Sequence, residues 1–371
     1  MKLFNMVLFW FGLVTAGLSA VAAQSLEADA KIEQVGPSLS HPWGISLMDD
    51  NTALITLRDG ELIRMELDSG KVTQISNVPA VFARRQGGLL DVLAHKDTKG
   101  QLSVYICFSK PVSGGAVTAL ERAELKKNRL IKRQDLFQAN DVSSRSVHFG
   151  CRIAIHNNHL YLSIGDRGQR DNAQDLSSHA GAVVRLHLDG LIPENNPNFK
   201  NGAPGLFTKG HRNPQGMAIH PLTGAIWVNE HGPKGGDEIN ILQAGANYGW
   251  PLASFGKEYF GGPIGDGLTS FPGTIDPVWH WTPSIAPSGM AFYNKQMFPE
   301  LTGGLLVTSL KFRRLYHMQL QNNLPARQSV ILDRRIGRIR DVEVAPDGAI
   351  LLLSDEANGG LFKLSLSLIH I

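Results

Sequence analysis

From residue 42 onward one pattern of apolar and polar positions recurs six times. Each copy has a polar or glycine-containing start, an apolar run, a turn, a second apolar run and then polar residues. The starts are Pro42-Trp43-Gly44-Ile45, Gln86-Gly87-Gly88-Leu89, His148-Phe149-Gly150-Cys151, Pro214-Gln215-Gly216-Met217, Pro287-Ser288-Gly289-Met290 and Arg338-Ile339-Arg340-Asp341. Second runs such as Leu160-Tyr161-Leu162-Ser163-Ile164 and Ile350-Leu351-Leu352-Leu353 are short, apolar and bounded by turn residues (Asn157-Asn158; Pro346-Asp347-Gly348), as buried strands are. Third runs show at Glu61–Met65, Ala182–Leu186 and Gly360–Leu364. Antiparallel sheets of about four strands repeated radially make a β-propeller, so the pattern predicts an all-β, six-bladed β-propeller. A β-sandwich is the alternative architecture, but it gives no reason for six similar starts. The segment Ala30–Val35 precedes the first copy and is placed as an outer strand that closes the ring.

Composition changes this picture little. The 371 residues are 43% hydrophobic and 19% charged, with 39 glycines, which suits short strands and tight turns. The first residues belong to something else. Met1-Lys2, an apolar run from about Met6 to Ala20, and the small residues Ala20-Val21-Ala22-Ala23 have the three parts of a secretory signal, with cleavage expected after Ala22 or Ala23. An uncleaved anchor is the other reading of a run near the minimum for spanning a bilayer. Residues 24–371 then form one propeller domain, periplasmic or secreted, with no stable membrane insertion after cleavage. The formal charge of +3 becomes +2 when Lys2 leaves, too weak for a nucleic-acid binder judged on bulk charge. Cys107 and Cys151 are the two cysteines, neither in a CxxC motif. In an oxidising compartment they either pair or stay as two buried thiols.

Antiparallel pairing puts the start of each first strand and the end of each second strand on one face. Starts bring Gln86, His148, Arg212, Asn213, Arg338 and Arg340 there; ends bring Asp166, Arg167, Glu230, His231 and Lys311. The opposite face receives turn residues such as Asn51, Asn158 and Pro346. Polar groups gathered at one end of a rigid scaffold are how sites are built on such folds.

Five motifs in order carry a family resemblance: Gln86-Gly87-Gly88-Leu89-Leu90-Asp91, Gly210-His211-Arg212-Asn213-Pro214-Gln215-Gly216, Asn229-Glu230-His231-Gly232-Pro233, Gly236-Asp237-Glu238-Ile239-Asn240 and Asn247-Tyr248-Gly249-Trp250-Pro251. From about His41 to Leu364 the chain resembles the soluble quinoprotein glucose/sorbosone dehydrogenases, and within them the periplasmic aldose sugar dehydrogenases. The resemblance implies a six-bladed propeller with pyrroloquinoline quinone (PQQ) and calcium. It implies oxidation of an aldose at C1 to the lactone, hydride passing to C5 of PQQ, and onward transfer to a quinone or redox protein. His148 matches the family's base, a role suited to imidazole because its pKa lies near working pH. Arg212 matches the group beside the reactive carbonyl, where positive charge stabilises a developing oxyanion. Gln86 and Asn213 match positions that hydrogen-bond cofactor or substrate. Ser309-Leu310-Lys311 and Arg338-Ile339-Arg340 match segments that bind the cofactor's carboxylates. Tyr259 stacks on the ring or packs in the core. Calcium is assigned to the carbonyls of Gly232 and Pro233, with Glu238 and Tyr248 at a further position; Asp237 beside them either contributes or caps a turn. Arg84, Arg85, Arg313, Arg314, Arg334 and Arg335 match no family role and are read as surface charges.

One departure stands out. Some glucose-oxidising members carry an acid just before the base, where this chain has Val147. Asp166, another group, or none takes that acid's place. Two other functions share a polar propeller face: a calcium-dependent lactonase and an inactive sugar-binding propeller. The cations Arg212, Lys311, Arg338 and Arg340 argue against the first, and the intact His148 and arginine set against the second.

Overall fold

The computed structural model describes residues 30–366, so the leader expected at Met1–Ala23 lies outside the described residues. Six four-stranded antiparallel sheets form the blades. Blade 1 holds strands β2 (Pro42–Asp49), β3 (Thr52–Leu57), β4 (Glu61–Glu66) and β5 (Val72–Ile75). Blade 2 holds β6 (Leu89–Lys96), β7 (Leu102–Val112), β8 (Gly115–Lys126) and β9 (Arg129–Gln138). Blade 3 holds β10 (Ile153–His156), β11 (His159–Ile164), β12 (Ala182–His187) and β13 (Leu206–Lys209). Blade 4 holds β14 (Pro214–Ile219), β15 (Ile226–Glu230), β16 (Asp237–Ile241) and β17 (Trp279–Trp281). Blade 5 holds β18 (Pro287–Tyr293), β19 (Gly304–Ser309), β20 (Arg314–Gln321) and β21 (Leu324–Asp333). Blade 6 holds β22 (Ile339–Val344), β23 (Ile350–Ser354), β24 (Gly359–Leu366) and, at its outer edge, β1 (Ala30–Leu39).

The expected closing strand is there: β1 runs antiparallel to β24, from Ala30 opposite Leu366 to Val35 opposite Leu361. Joining the two chain ends in one sheet closes the circle and covers an edge that would otherwise expose unpaired backbone groups. The inner strands β2, β6, β10, β14, β18 and β22 touch in turn, and β22 returns to β2. Apolar clusters fill the spaces between adjacent blades, for example Leu162, Ile164, Tyr105 and Leu120 between blades 2 and 3. Second strands are buried on both faces; β19 is buried at all six positions. That is why these runs read as continuous apolar stretches rather than alternating ones. Among the described residues no helix is long and apolar enough to cross a membrane.

Hydroxyl and amide side chains stitch each blade to the next near the active face. Thr118 Oγ1 donates to the Phe149 carbonyl at 2.8 Å, Ser288 Oγ to Ile339 at 2.7 Å, and Asn229 Nδ2 to Ser288 at 2.9 Å. The cysteine alternative is decided: Cys107 of β7 and Cys151 form a disulfide across blades 2 and 3, with Cα atoms 5.7 Å apart.

Candidate active site

The site begins with a repeated irregularity. In five blades the register between first and second strands shifts just after the first strand's opening residue, at Pro42/Ile45, Leu89/Val92, Pro214/Gly216, Pro287/Met290 and Ile339/Asp341. Such bulges re-aim side chains. Asp91, Gln215, Ser288 and Arg340 belong to these segments. Blade 3 differs: β10 starts only at Ile153, and the preceding residues form a turn that carries His148. Gly150 has φ +65, and a Cβ there would lie 2.7 Å from the Gly165 nitrogen. Glycine at both positions lets the two segments approach.

His148 itself has φ 51, and its N–H donates to Gln86 Oε1 at 2.8 Å. Its Nδ1 lies 2.6 Å from Asp166 Oδ1, at the end of the adjoining second strand. A carboxylate only accepts, so Nδ1 carries the proton and Nε2 is the nitrogen left for a substrate. Asp166 is fixed in turn by Gly168 N–H on Oδ1 at 2.7 Å and Trp250 Nε1 on Oδ2 at 2.8 Å. The His148 side chain is 15% exposed and that of Asp166 only 2%. Burial lowers the His148 pKa; the Asp166 hydrogen bond opposes this and the Arg212 charge adds to it. Burial would raise the Asp166 carboxyl, but its bond to His148 and the nearby Arg212 hold it below the usual range. The carboxylate that meets His148 is thus Asp166, 18 residues downstream of it.

Arg212 is buried, with Nη1 donating to the carbonyls of His231 at 2.9 Å and Gly232 at 2.8 Å. Its guanidinium lies 5.3 Å from the Trp250 ring centre. Glu230 fixes its backbone, accepting from Arg212 N–H at 2.6 Å and from His211 Nδ1 at 2.8 Å. His231 Nε2 donates to the Pro287 carbonyl at 2.7 Å; burial drives its pKa down to about 3, so it is neutral.

A cavity of about 170 Å³ is walled by Phe149, Gly150 and His231 together with residues of blades 1, 2, 5 and 6; His148, Asp166, Arg212 and Lys311 are not among its walls. Its walls include Gln86, Asn213, Leu310, Arg338, Arg340 and, from blade 1, Trp43 and Arg58. Asp355 is its one acidic wall residue against three guanidinium groups. Arg340 is clamped by Asp355 Oδ2 at 2.6 Å and Gln215 Oε1 at 3.0 Å. The Arg338 guanidinium donates to the Leu310 carbonyl at 3.4 Å, its backbone N–H to Glu356 Oε1 at 3.3 Å, and Lys311 is exposed. The remaining expected residues divide. Asn213 is buried, with Oδ1 accepting from Gln215 Nε2 at 3.2 Å. Ser309 spends its hydroxyl on the Ile285 carbonyl at 2.5 Å, and the Ile339 side chain lies in the apolar cluster between blades 5 and 6. Tyr259 is 63% exposed on the loop before β17, neither core nor cavity wall.

The residues expected to hold calcium lie close together. Gly232, Glu238 and Tyr248 line a small cavity of about 10 Å³ with Glu230 and Arg212, room for about one water-sized occupant. Burial and the neighbouring Glu230 charge push Glu238 well above its ordinary pKa. Asp237 is a turn-holder: it accepts from Gly232, Ile285 and Ala286 N–H and from Ser284 Oγ, all at 2.7–2.8 Å. Pro233 adjoins this turn. Among the described residues no group of three or more His, Cys, Asp or Glu is arranged to hold a metal.

Below the cavity a layer absent from the sequence reading crosses the axis. Arg152 Nη1 bridges Asp91 at 3.0 Å and Asp341 at 2.8 Å, and its Nε donates to the Gln215 carbonyl at 2.7 Å. Trp43, Arg58, Gln215 and Asp355 were missed as cavity walls for the same reason: each draws meaning from partners on other blades. Trp250 was visible only within its motif.

Residues 39–363 match the family model described as glucose/sorbosone dehydrogenase. The chain is 39% identical to aldose sugar dehydrogenase YliI of Escherichia coli K12, covering 96% of this chain and 98% of that one. It superposes on the apo crystal structure of the soluble aldose sugar dehydrogenase from Escherichia coli with a TM-score of 0.85 at 37% identity, over 91% of this chain and all of that one. A PQQ-bound aldose sugar dehydrogenase from Streptomyces coelicolor matches with a TM-score of 0.76 at 25% identity, over 92% of this chain and 99% of that one.

Proposed function

The chain belongs to the glucose/sorbosone dehydrogenase family, and we propose that it is a quinoprotein oxidoreductase oxidising aldoses at C1 to lactones, with PQQ as cofactor and His148 as base. One observation carries the reading: His148 is oriented by Asp166 with Nε2 left open, and the residues that follow it, Phe149 and Gly150, wall a cavity with three arginines. Nε2 takes the proton of the sugar's C1 hydroxyl as the C1 hydrogen departs with its electron pair. Asp166 fixes the tautomer and stabilises the imidazolium that forms, as a buried carboxylate does for a general base. Arg212, held by two carbonyls, presents fixed positive charge that needs no reorganisation when negative charge develops.

The cavity fits PQQ by charge. Arg58, Arg338 and Arg340 outnumber Asp355 by two positive charges, suited to a flat tricarboxylate through the planar guanidinium fork. A hydrolase acting on a neutral lactone would have no use for that surplus. When bound, PQQ would supply the two-electron acceptor. Glu238, with the Tyr248 carbonyl, would hold a calcium ion in the small cavity, whose charge would relieve two crowded carboxylates; the carbonyls of Gly232 and Pro233 would hold the cofactor-side ion, Gly232 sharing its oxygen with Arg212. The leader expected at Met1–Ala23 would export the chain to where a quinone or redox protein would take the electrons. The test is to add PQQ and Ca²⁺ to the apoprotein and follow aldose-dependent reduction of an artificial dye. Reduction with PQQ and not without it is expected; no PQQ binding by absorbance and no turnover with any aldose would overturn the reading.

A further inference from the structure

The proposed base rides on a turn whose backbone is not intrinsically favoured. His148, Gly150 and Cys151 all have positive φ, at 51, 65 and 77°. For residues with a Cβ this geometry persists only where the surroundings over-determine it. The turn precedes β10, which begins two residues after Cys151, and its backbone bonds to the adjoining strand are few: Cys151 N–H to the Ser163 carbonyl at 2.7 Å and Arg167 N–H to that of His148 at 3.3 Å.

Two blades hold it. On one side Cys107 is bonded to Cys151, with both residues fully buried. Cys107 lies within β7, which is paired on both flanks by β6 and β8, so the covalent link ties the turn to a rigid strand. On the other side the fully buried Arg167 donates from Nη2 to the Arg145 carbonyl at 2.8 Å and from Nη1 to that of Val147. Its guanidinium lies 3.5 Å from the Phe149 ring centre. A link serving stability alone could join any two strands; this one ends three residues from His148.

We propose that the Cys107–Cys151 disulfide is a positioning element for the base, holding the His148–Cys151 turn so that Nε2 meets the sugar, over and above its contribution to stability. The proposal rests on His148 being the base. A displacement of about 1 Å at a reacting group can cost about a hundredfold in rate, so partial loosening of the turn is expected to be kinetically visible.

The experiment compares three forms, each reconstituted with PQQ and Ca²⁺. These are the oxidised parent, the same chain produced in a reducing cytoplasm with its two thiols intact and reductant removed anaerobically, and the Cys107→Ala/Cys151→Ala pair. The dithiol and alanine forms should lose about tenfold or more in kcat while PQQ affinity stays within about twofold. The acid limb of kcat should move upward as a looser imidazole regains solvent, and reoxidation of the dithiol form should restore both. If the alanine pair does not fold, Cys107→Val with Cys151→Ala refills the volume. A folded dithiol form with parental kcat and parental acid limb, lowered only in Tm, would reduce the disulfide to a structural staple. His148→Ala, run alongside, separates the two ideas. If it turns over at the parental rate, the base assignment fails; if it is inactive while the dithiol form is unimpaired, only the positioning role fails.

Discussion

Two buried ionic centres lie near the propeller axis, built from similar parts and put to different uses. At the active face His148 meets one carboxylate, Asp166, and keeps a nitrogen open. One layer below, Arg152 is shared between two carboxylates, lies 4.4 Å from the Trp43 ring centre, and bonds the Gln215 carbonyl. Burial works against the Arg152 charge, but Asp341 and Asp91 outweigh it, so Arg152 stays charged, while burial lifts Asp91 to about 6. Inner strands from blades 2, 3 and 6 meet there. The upper pair leaves an imidazole nitrogen open to a substrate; the lower triad spends its charges on one another beside a cavity of about 230 Å³. A buried pair can serve catalysis when one partner keeps a proton-accepting atom free of protein partners; where the charges are spent on neighbours, it fastens blades together.

The comparison can be broken at either centre. His148→Ala should lower kcat by about 10³–10⁴-fold in the reconstituted enzyme while absorbance titration still shows PQQ binding. Arg152→Met should act on folding instead, costing about 3–5 kcal/mol by denaturant titration because Asp91 and Asp341 are left buried without a counter-charge. Turnover per folded molecule should survive at low temperature; a variant stable but inactive would move Arg152 into the catalytic machinery. Asp166→Asn should keep the fold and lower kcat by about a hundredfold, since the amide no longer fixes the Nδ1–H tautomer. An unchanged rate would mean that Gln86 and the turn orient the ring unaided.

Two pH effects are smaller. Burial lowers His148 from its ordinary 6.5, so the acid limb of kcat/KM should lie below pH 6.5. In the cavity that Glu343 lines with Asp91, Arg152 and Asp341, burial and Asp341 raise the Glu343 carboxyl from 4.5 to about 8. A raised carboxyl favours folding fully below its unfolded pKa, and that contribution fades as pH rises through about 8. Glu343→Gln should therefore gain stability on the parent at pH 9 relative to pH 6, read as a difference in Tm; equal Tm differences at both pH values would show that Glu343 ionises freely in the fold.

The sequence was most legible where local pattern and burial agree. Strand runs such as Leu160–Ile164 are apolar throughout because both faces are covered, and their turns carry Asn, Asp and Gly, so six blades could be counted. The position of β1 was also readable, since an extra strand before the first copy has only one open edge to join. Polar residues at strand starts and ends fell on one face for the same topological reason. The site's internal wiring was less legible. Asp166 could be named as a substitute acid, yet nothing along the chain chooses between it and no acid. The pairing of Cys107 with Cys151 stayed open because 44 residues separate them. Of the two places expected for Tyr259, the core is excluded by its exposure, because the long loop before β17 has no repeat to fix its course.

What the amino-acid order determined by itself was the blade count, the closing strand and the inventory of the active face. These follow from strand period, turn chemistry and antiparallel connection, all of which are local. Tertiary structure alone decided which members of that inventory touch: His148 with Asp166 and Trp250, Arg212 with the His231 and Gly232 carbonyls, Arg340 with Asp355, Arg152 between Asp91 and Asp341. Distances of about 3 Å between residues on different blades depend on bulges, ring closure and packing together, and no stretch of sequence contains them.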